Sequence, residues 1–349
     1  MKKKQRKRGS GRAGMIALCV VLGIILVLLL SATLYAQRLL NKINYVDPSQ
    51  QETMSPEEVS EYLATQETDP DSSAPTITDE EIDWGETQPE DTQLIGEEEH
   101  IVNILLIGQD ARPGEKRTRS DVMILCTFNT QENTLTMTSF LRDLYVQIPG
   151  YGNNKLNAAY AWGGMELLNT TLAQNFGIYV DGNVEVNFER FAGIIDILGG
   201  VEVELRNDEA NYINTSLGYG GLTGGVQRLD GNQALTYARI RSLDADADFS
   251  RTNRQRKLLN SLILEFKDAG LSTALGLLEE ILPLLTTDMT QAEIVSYVTE
   301  LFPMLASAEI VSQRIPADGA YKGRMINGMS VLVADMDAAR KLLQETLAG

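Results

Sequence analysis

Residues 103–125 read NILLIGQDARPGEKRTRSDVMIL. An apolar run ends at Gly108, a charged loop containing Gly and Pro follows, and a second apolar run begins near Asp121. Short apolar runs bounded by turn residues are the pattern of strands buried on both faces. Working outward, the spacing predicts strands at 101–108, 121–128, 134–140, 184–188, 201–205, 308–315 and 324–333. Helices are predicted at 164–176, 189–198, 230–239, 250–267, 290–305 and 333–347. Strands interspersed with helices define a layered α/β domain with a largely buried sheet. Neither a repeat nor a second linker interrupts residues 99–349, so one domain is expected there.

Upstream the composition changes twice. Residues 1–42 carry nine Lys and Arg and no acid, whereas residues 43–99 carry eighteen Asp and Glu and no Lys or Arg. Between Arg12 and Arg38 lie 25 uncharged residues that include VVLGIILVLLL. A helix of that length rises roughly 37 Å, enough to cross a hydrocarbon core of about 30 Å. The sequence therefore predicts a basic cytoplasmic tail at 1–12 and a transmembrane helix at 13–37. The excess of Lys and Arg before the span puts the N-terminus in the cytoplasm and the remainder of a single-pass membrane protein outside. Residues 38–98 lack a sustained apolar period, and such a segment is expected to be a disordered acidic linker.

The residue inventory removes several chemistries. Cys19 and Cys126 are too few for a disulfide framework, and His100 is the only histidine. A Ser-His-Asp triad inside the domain, a zinc cluster and a Cys-His pair are thereby excluded. Twelve of the domain's Lys and Arg fall in two windows, 110–143 and 228–257. Basic charge concentrated on an acidic body disfavours nucleic acid, which needs a broad basic face. It suits a compact, multiply charged anion such as a pyrophosphate.

In SRTNRQRKLLNSLILEF, residues 250–266, Leu258, Leu259, Leu262 and Ile263 form one helical face. Stepping back by three and four residues reaches Gln255, Arg254 and then Arg251, so these polar groups continue the buried stripe. Arg251 falls in the first turn, where the helix dipole disfavours a cation unless an anion is bound there. Either a bound phosphate or a salt bridge to Asp246 or Asp248 accounts for it. Arg239 and Arg241 sit at the end of the preceding helix, where dipole pairing alone would explain them. In the other window Asp110 and Asp121 flank one loop and are placed to share a divalent cation with phosphate oxygens. A strand-start carboxylate paired to Arg119 explains Asp121 equally well. Arg142, Asp143 and Lys155 follow on the same edge.

The motifs GQDAR, RSD, LRD, KLNAAYAWGG, DILGGVEVEL, LDGNQALTYARIR and DFSRTNRQR, in this order, resemble the LytR–CpsA–Psr family of bacterial cell-envelope proteins. The resemblance covers residues 101 to about 265. It implies a three-layer α-β-α sandwich with a mixed central sheet, and an enzyme moving an anionic glycopolymer from a polyprenyl pyrophosphate carrier to peptidoglycan. Asp110 and Asp121 would hold Mg²⁺ (or Mn²⁺). Arg119, Arg142, Arg239 and Arg241 are the implied catalytic residues, and Arg251 and Gln255 would grip the pyrophosphate. Arg254 and Lys155 join them as substrate-binding candidates from their positions. The sequence departs from the family at Gln109, where Ser is usual, at Leu141 for Pro and at Ser250 for Gly. Asp121 and Asp143 are the candidates for a general base. A lipid pyrophosphatase and a regulator that binds lipid phosphate without turnover are the alternative readings. The segment LLEEILPLL, 277–285, is expected to be core.

Overall fold

The computed structural model describes residues 35–64, 74–85, 93–109, 117–244, 247–268, 271–305 and 307–348. In chain order the strands are β1 (Asn44–Tyr45), β2 (Ile101–Gln109), β3 (Ser120–Asn129), β4 (Thr134–Phe140), β5 (Tyr145–Ile148) and β6 (Gly152–Lys155). They continue with β7 (Gly182–Asn187), β8 (Val201–Leu205), β9 (Gly225–Leu229), β10 (Thr286–Thr287), β11 (Glu309–Ile315), β12 (Tyr321–Ile326) and β13 (Met329–Ala334). Seven of them form the central sheet in the order β1-β10-β7-β2-β3-β4-β11. β2–β3 and β3–β4 are antiparallel, while β2–β7 and β4–β11 are parallel. The sheet is therefore mixed, as the resemblance implied.

Alternate residues of these strands feed two different cores. Leu105, Ile107, Met123 and Leu125 pack with Leu168 and Leu172 of the Leu156–Phe176 helix. On the opposite face, Ile124, Cys126, Leu135 and Met137 meet Leu259 and Ile263 of the Ala247–Asp268 helix. Gly108 permits the close approach of β2 to β3, since a Cβ there would lie 2.9 Å from that of Val122.

The helix predicted at 164–176 begins earlier, at Leu156, because its first turns are buried almost all round and carry no amphipathic period. A kink divides it at Gly164, whose φ of 68° favours glycine. The Asn207–Leu217 helix was not predicted, and the strand expected at 324–333 resolves into the β12–β13 hairpin. Asn327 and Gly328 both have positive φ at its turn, so the Asn-Gly pair was a readable signal.

Two upstream expectations are corrected. Among the described residues no helix is long and apolar enough to cross a membrane, so neither the transmembrane helix at 13–37 nor the single-pass placement carries into the structure. Of the two helices exceeding 20 residues, Leu156–Phe176 is broken at Gly164 and belongs to the core, and Ala247–Asp268 is heavily charged. The basic tail and residues 13–34 of the expected span lie outside the described residues.

Nor is the acidic segment a detached linker where it is described. Asn44–Tyr45 pairs with β10, and a helix forms at Pro56–Ala64. Val59 and Ile95 are buried in the main core, while Ile77, Ile82 and Trp84 pack beside Tyr145. Gln51 accepts a hydrogen bond from Met165 N–H, and Met54 N–H donates to the Trp162 carbonyl. Mean composition misled here because isolated apolar residues docking one at a time produce no period.

Candidate active site

The first-window candidates meet where the start of β3, the end of β4 and the end of β6 come together, whereas Arg239 and Gln255 of the second window line a cavity beside Gly108 and Val122. Arg142 leaves β4 and donates from Nη1 to Asp121 Oδ1 at 2.6 Å and from Nε to Asp143 Oδ2 at 3.2 Å. Lys155, at the end of β6, lies 3.0 Å from Asp143 Oδ1. Asp121, Arg142, Asp143 and Lys155 thus form one part-buried chain of alternating charge. Pairing Arg142 on two sides fixes its guanidinium, which offsets the lost angular constraint where Leu141 replaces proline.

Arg119 lies two residues before Asp121. Its Nε is buried without a hydrogen-bond partner, and its guanidinium faces the Tyr62 ring at 5.8 Å from the centroid. Asp110 lies outside the described residues. Both described ends of its loop are anchored by Gln109, whose Nε2 donates to Glu185 while its Oε1 accepts from Thr118 N–H. Tyr160 donates to the other oxygen of Glu185 at 2.6 Å; burial, then the Glu185 charge, pushes the phenol pKa up. Arg117 extends this cluster, reaching the carbonyls of Ala161 and Glu52, and burial lowers its pKa. Glu185 was missed in the sequence, although an acid within GNVEVN was a visible anomaly. The Gln109 departure now has a physical role as a clamp.

Arg239, Arg241, Arg251, Arg254 and Gln255 come from the second window. Arg251 and Arg254 are each only 3% exposed, as the continued helical stripe required. They do different work. Arg254 Nε donates to Glu209 at 2.8 Å, Nη1 donates to the Ile240 carbonyl at 3.1 Å, and Nη2 bonds Asp244. Arg206 pairs with Asp244 from the other side at 2.9 Å. This network braces the turn that carries Arg239 and Arg241, and it occupies all three nitrogens of Arg254. The alternative partners weighed for Arg251, Asp246 and the Asp248 side chain, lie outside what is described. Arg241 is exposed at the turn.

Arg239 stands 4.9 Å over the Phe188 ring, at an apolar cavity of about 480 Å³. The cavity runs between the sheet and the Ala247–Asp268 helix, against residues such as Leu106, Val122, Val186, Phe191 and Leu262. Arg239 and Gln255 supply its only polar side chains among the described residues. Leu278, Ile281 and Leu285 complete the wall, which corrects the expectation that 277–285 is plain core. Leu278 and Leu285 are half-buried and Ile281 is buried, and local periodicity reads the same for a cavity wall as for a packed interior. An apolar channel with a guanidinium and an amide can hold an aliphatic chain ending in an anion.

A family model described as the LytR_cpsA_psr family matches residues 61–348. The chain belongs to this family. A polyisoprenyl-teichoic acid–peptidoglycan teichoic acid transferase, TagT of Bacillus subtilis (strain 168), is 39% identical over 167 residues, 46% of this chain and 51% of TagT. This chain therefore spans about half the length of that relative. TagU of Bacillus mycoides (strain KBAB4), of the same description, is 34% identical over 220 residues, 62% of this chain and 69% of TagU. The structure of TagT bound to LIIa-WTA matches with a TM-score of 0.60 at 29% identity, covering 76% of this chain and all of TagT's. TagT with bound octaprenyl pyrophosphate lipid matches at 0.54 and 27%, covering 77% and 99%.

Proposed function

We propose that this family member transfers an anionic glycopolymer from a polyprenyl pyrophosphate carrier to peptidoglycan. The carrying observation is the apolar cavity whose polar side chains are Arg239 and Gln255. Its apolar lining suits a polyprenyl chain, and Arg239 with Gln255 on that lining suits the oxygens of a pyrophosphate. The relatives' names supply the glycopolymer and the acceptor.

In this reading the lipid lies among Leu106, Val186 and Leu262, while Arg239, Arg241, Arg251 and Gln255 hold the pyrophosphate oxygens. Fixed guanidiniums stabilise charge that develops on phosphate oxygens, and they need no reorganisation during reaction. An acceptor hydroxyl attacks the sugar-linked phosphorus, and polyprenyl phosphate departs. Arg142, held by Asp121 and Asp143, and Arg119 orient the phosphoryl group. With Asp121 given to the metal, Asp143 is the remaining candidate to take the hydroxyl proton. Lys155 holds Asp143 in position.

The donor set suits a hard divalent cation, since carboxylates with phosphate oxygens are the usual ligands of Mg²⁺. Asp121 and Asp110 would hold Mg²⁺ or Mn²⁺, which supplies charge neutralisation at the phosphates when bound. Among the described residues no group of three or more His, Cys, Asp and Glu is arranged to hold a metal ion by itself, so in this reading the substrate's own oxygens would complete the shell.

The test is transfer from a short synthetic polyprenyl-pyrophosphate glycan to peptidoglycan fragments by the full chain, with and without Mg²⁺. The full chain is required because Val59, Ile82 and Trp84 pack on the domain. A Mg²⁺-dependent phosphodiester-linked product is expected. Lipid phosphate released without linkage would replace this reading with a hydrolase, and lipid binding without turnover would replace it with a binding module.

A further inference from the structure

The helix Ala247–Asp268 carries a third arginine in RTNRQR that neither the cavity nor the brace uses. Arg256 follows Phe249 by seven residues and Thr252 by four, so these three share one face. Relative to Arg251 it is turned by roughly 140° around the helix axis. Its face looks toward β4 and β11, away from the network of Arg254.

Arg256 is 6% exposed, and neither its Nε nor its Nη1 has a hydrogen-bond partner. The contrast with Arg254, two residues earlier, is direct: Arg254 has a carboxylate or carbonyl on every nitrogen. What faces Arg256 instead is another cation. Burial first, and then the charge of Arg314, bring its pKa down to about 10.

Arg314, on β11, lies 4.4 Å over the Phe249 ring, and its own Nε is buried without a partner. Among the described residues the acid that pairs with it is Asp318, whose side chain is 88% exposed. Beside it Ser139, on β4, is the cross-strand neighbour of Arg314. Ser139 is 1% exposed, and its Oγ also lacks a partner. Three elements thus deliver two guanidiniums and a hydroxyl to one region, with no buried carboxylate paired to Arg256 among the described residues. Buried like charges without an anion are strongly unfavourable, and a buried guanidinium is normally paired. Forked N–H donors from two sides with an added hydroxyl match a tetrahedral oxyanion.

We propose that Arg256, Arg314 and Ser139 form a second oxyanion site, which binds a phosphate group separately from Arg239 at the cavity. The ligand is either free phosphate or a phosphodiester of a polyol-phosphate chain; both present the same oxygens. Arg314, 18% exposed in its side chain, is the open side of the site.

The test uses the full chain and equilibrium dialysis of labelled inorganic phosphate at fixed ionic strength, with Arg256→Met and Arg314→Gln beside the parent protein. Each variant should bind one phosphate fewer than the parent, with affinity at the lost site down at least about tenfold. This difference holds whether or not the cavity binds phosphate itself, so failure of the transfer reading and failure of this site are distinguishable. Without phosphate, Arg256→Met should melt higher than the parent because an unpaired buried charge is gone. A purely structural Arg256 would melt lower on replacement. Competition by a short glycerol-phosphate oligomer would identify the diester as the ligand, and its absence would identify free phosphate. Equal phosphate stoichiometry in all three proteins would overturn the site.

Discussion

The two faces of the central sheet are built by alternate residues of the same strands, yet they end in opposite states. On one face Leu105, Ile107 and Leu125 are at most 1% exposed beneath the Leu156–Phe176 helix. On the other, Leu106, Val122 and Val184 face a cavity of about 480 Å³ below the Ala247–Asp268 helix. The first helix is inserted tightly, with small residues such as Ala158 and Ala159 fully buried. The second is held by its polar end, through Arg254, Glu209 and Asp244, and by Leu259 and Ile263 on β3 and β4. Between those supports apolar surface stays open. One face therefore sets stability and the other is free to take a ligand.

The sharpest way to break this comparison is at the turn over the open face. Arg241→Ala should lower transfer about 10²–10³-fold, the scale for loss of one charge-stabilising donor, with melting temperature nearly unchanged. Arg254→Ala, three residues from Arg251, should act through folding: a buried pair broken from one side costs about 3–5 kcal/mol. Urea unfolding of both variants beside the transfer assay separates the roles. Equal stability losses would show that Arg241 also braces the turn.

The faces themselves can be compared by truncation. Leu125→Ala on the packed face should cost about 2–5 kcal/mol in unfolding free energy. Leu262→Ala on the cavity wall should cost less than that range, since its side chain already borders empty space and loses fewer contacts. Filling the cavity sharpens the contrast further: Val186→Phe should weaken binding of a polyprenyl pyrophosphate at least about tenfold while changing stability by less than about 1.5 kcal/mol. Fluorescence titration with a short-chain lipid reads the first effect and thermal unfolding the second.

The smallest expected effect lies remote from both faces. Asp181 accepts from Asn103 N–H at 2.7 Å and is hydrogen-bonded by Tyr297, yet burial raises its pKa from 3.8 to about 6. A raised carboxyl pKa means the neutral form is favoured on folding. Its contribution is fully present below pH 3.8 and is lost as pH rises through about 6. Asp181→Asn should flatten the pH dependence of the urea midpoint across that interval. An unchanged slope would assign the dependence to other groups.

Much of this was legible beforehand. Apolar runs placed β2, β3, β4 and β11, and the step-back along Leu258, Arg254 and Arg251 placed two arginines in the interior, where both lie. What failed shares one cause. Helical period states that a face is buried, and it says nothing of what lies opposite. Thus 277–285 read as core and lines a cavity, and the acidic segment read as solvated and contributes Val59 and Ile95 to the core.

The sequence by itself determined the α/β class, the strand runs, the concentration of arginine and, through ordered motifs, the family. Only the tertiary structure decided the work of each arginine. Arg254 meets Glu209 across 45 residues of chain, Arg142 meets Asp121 across 21, and Arg256 meets no acid among the described residues. Local pattern cannot carry such pairings, because the energy of a buried charge depends on which groups the fold brings beside it.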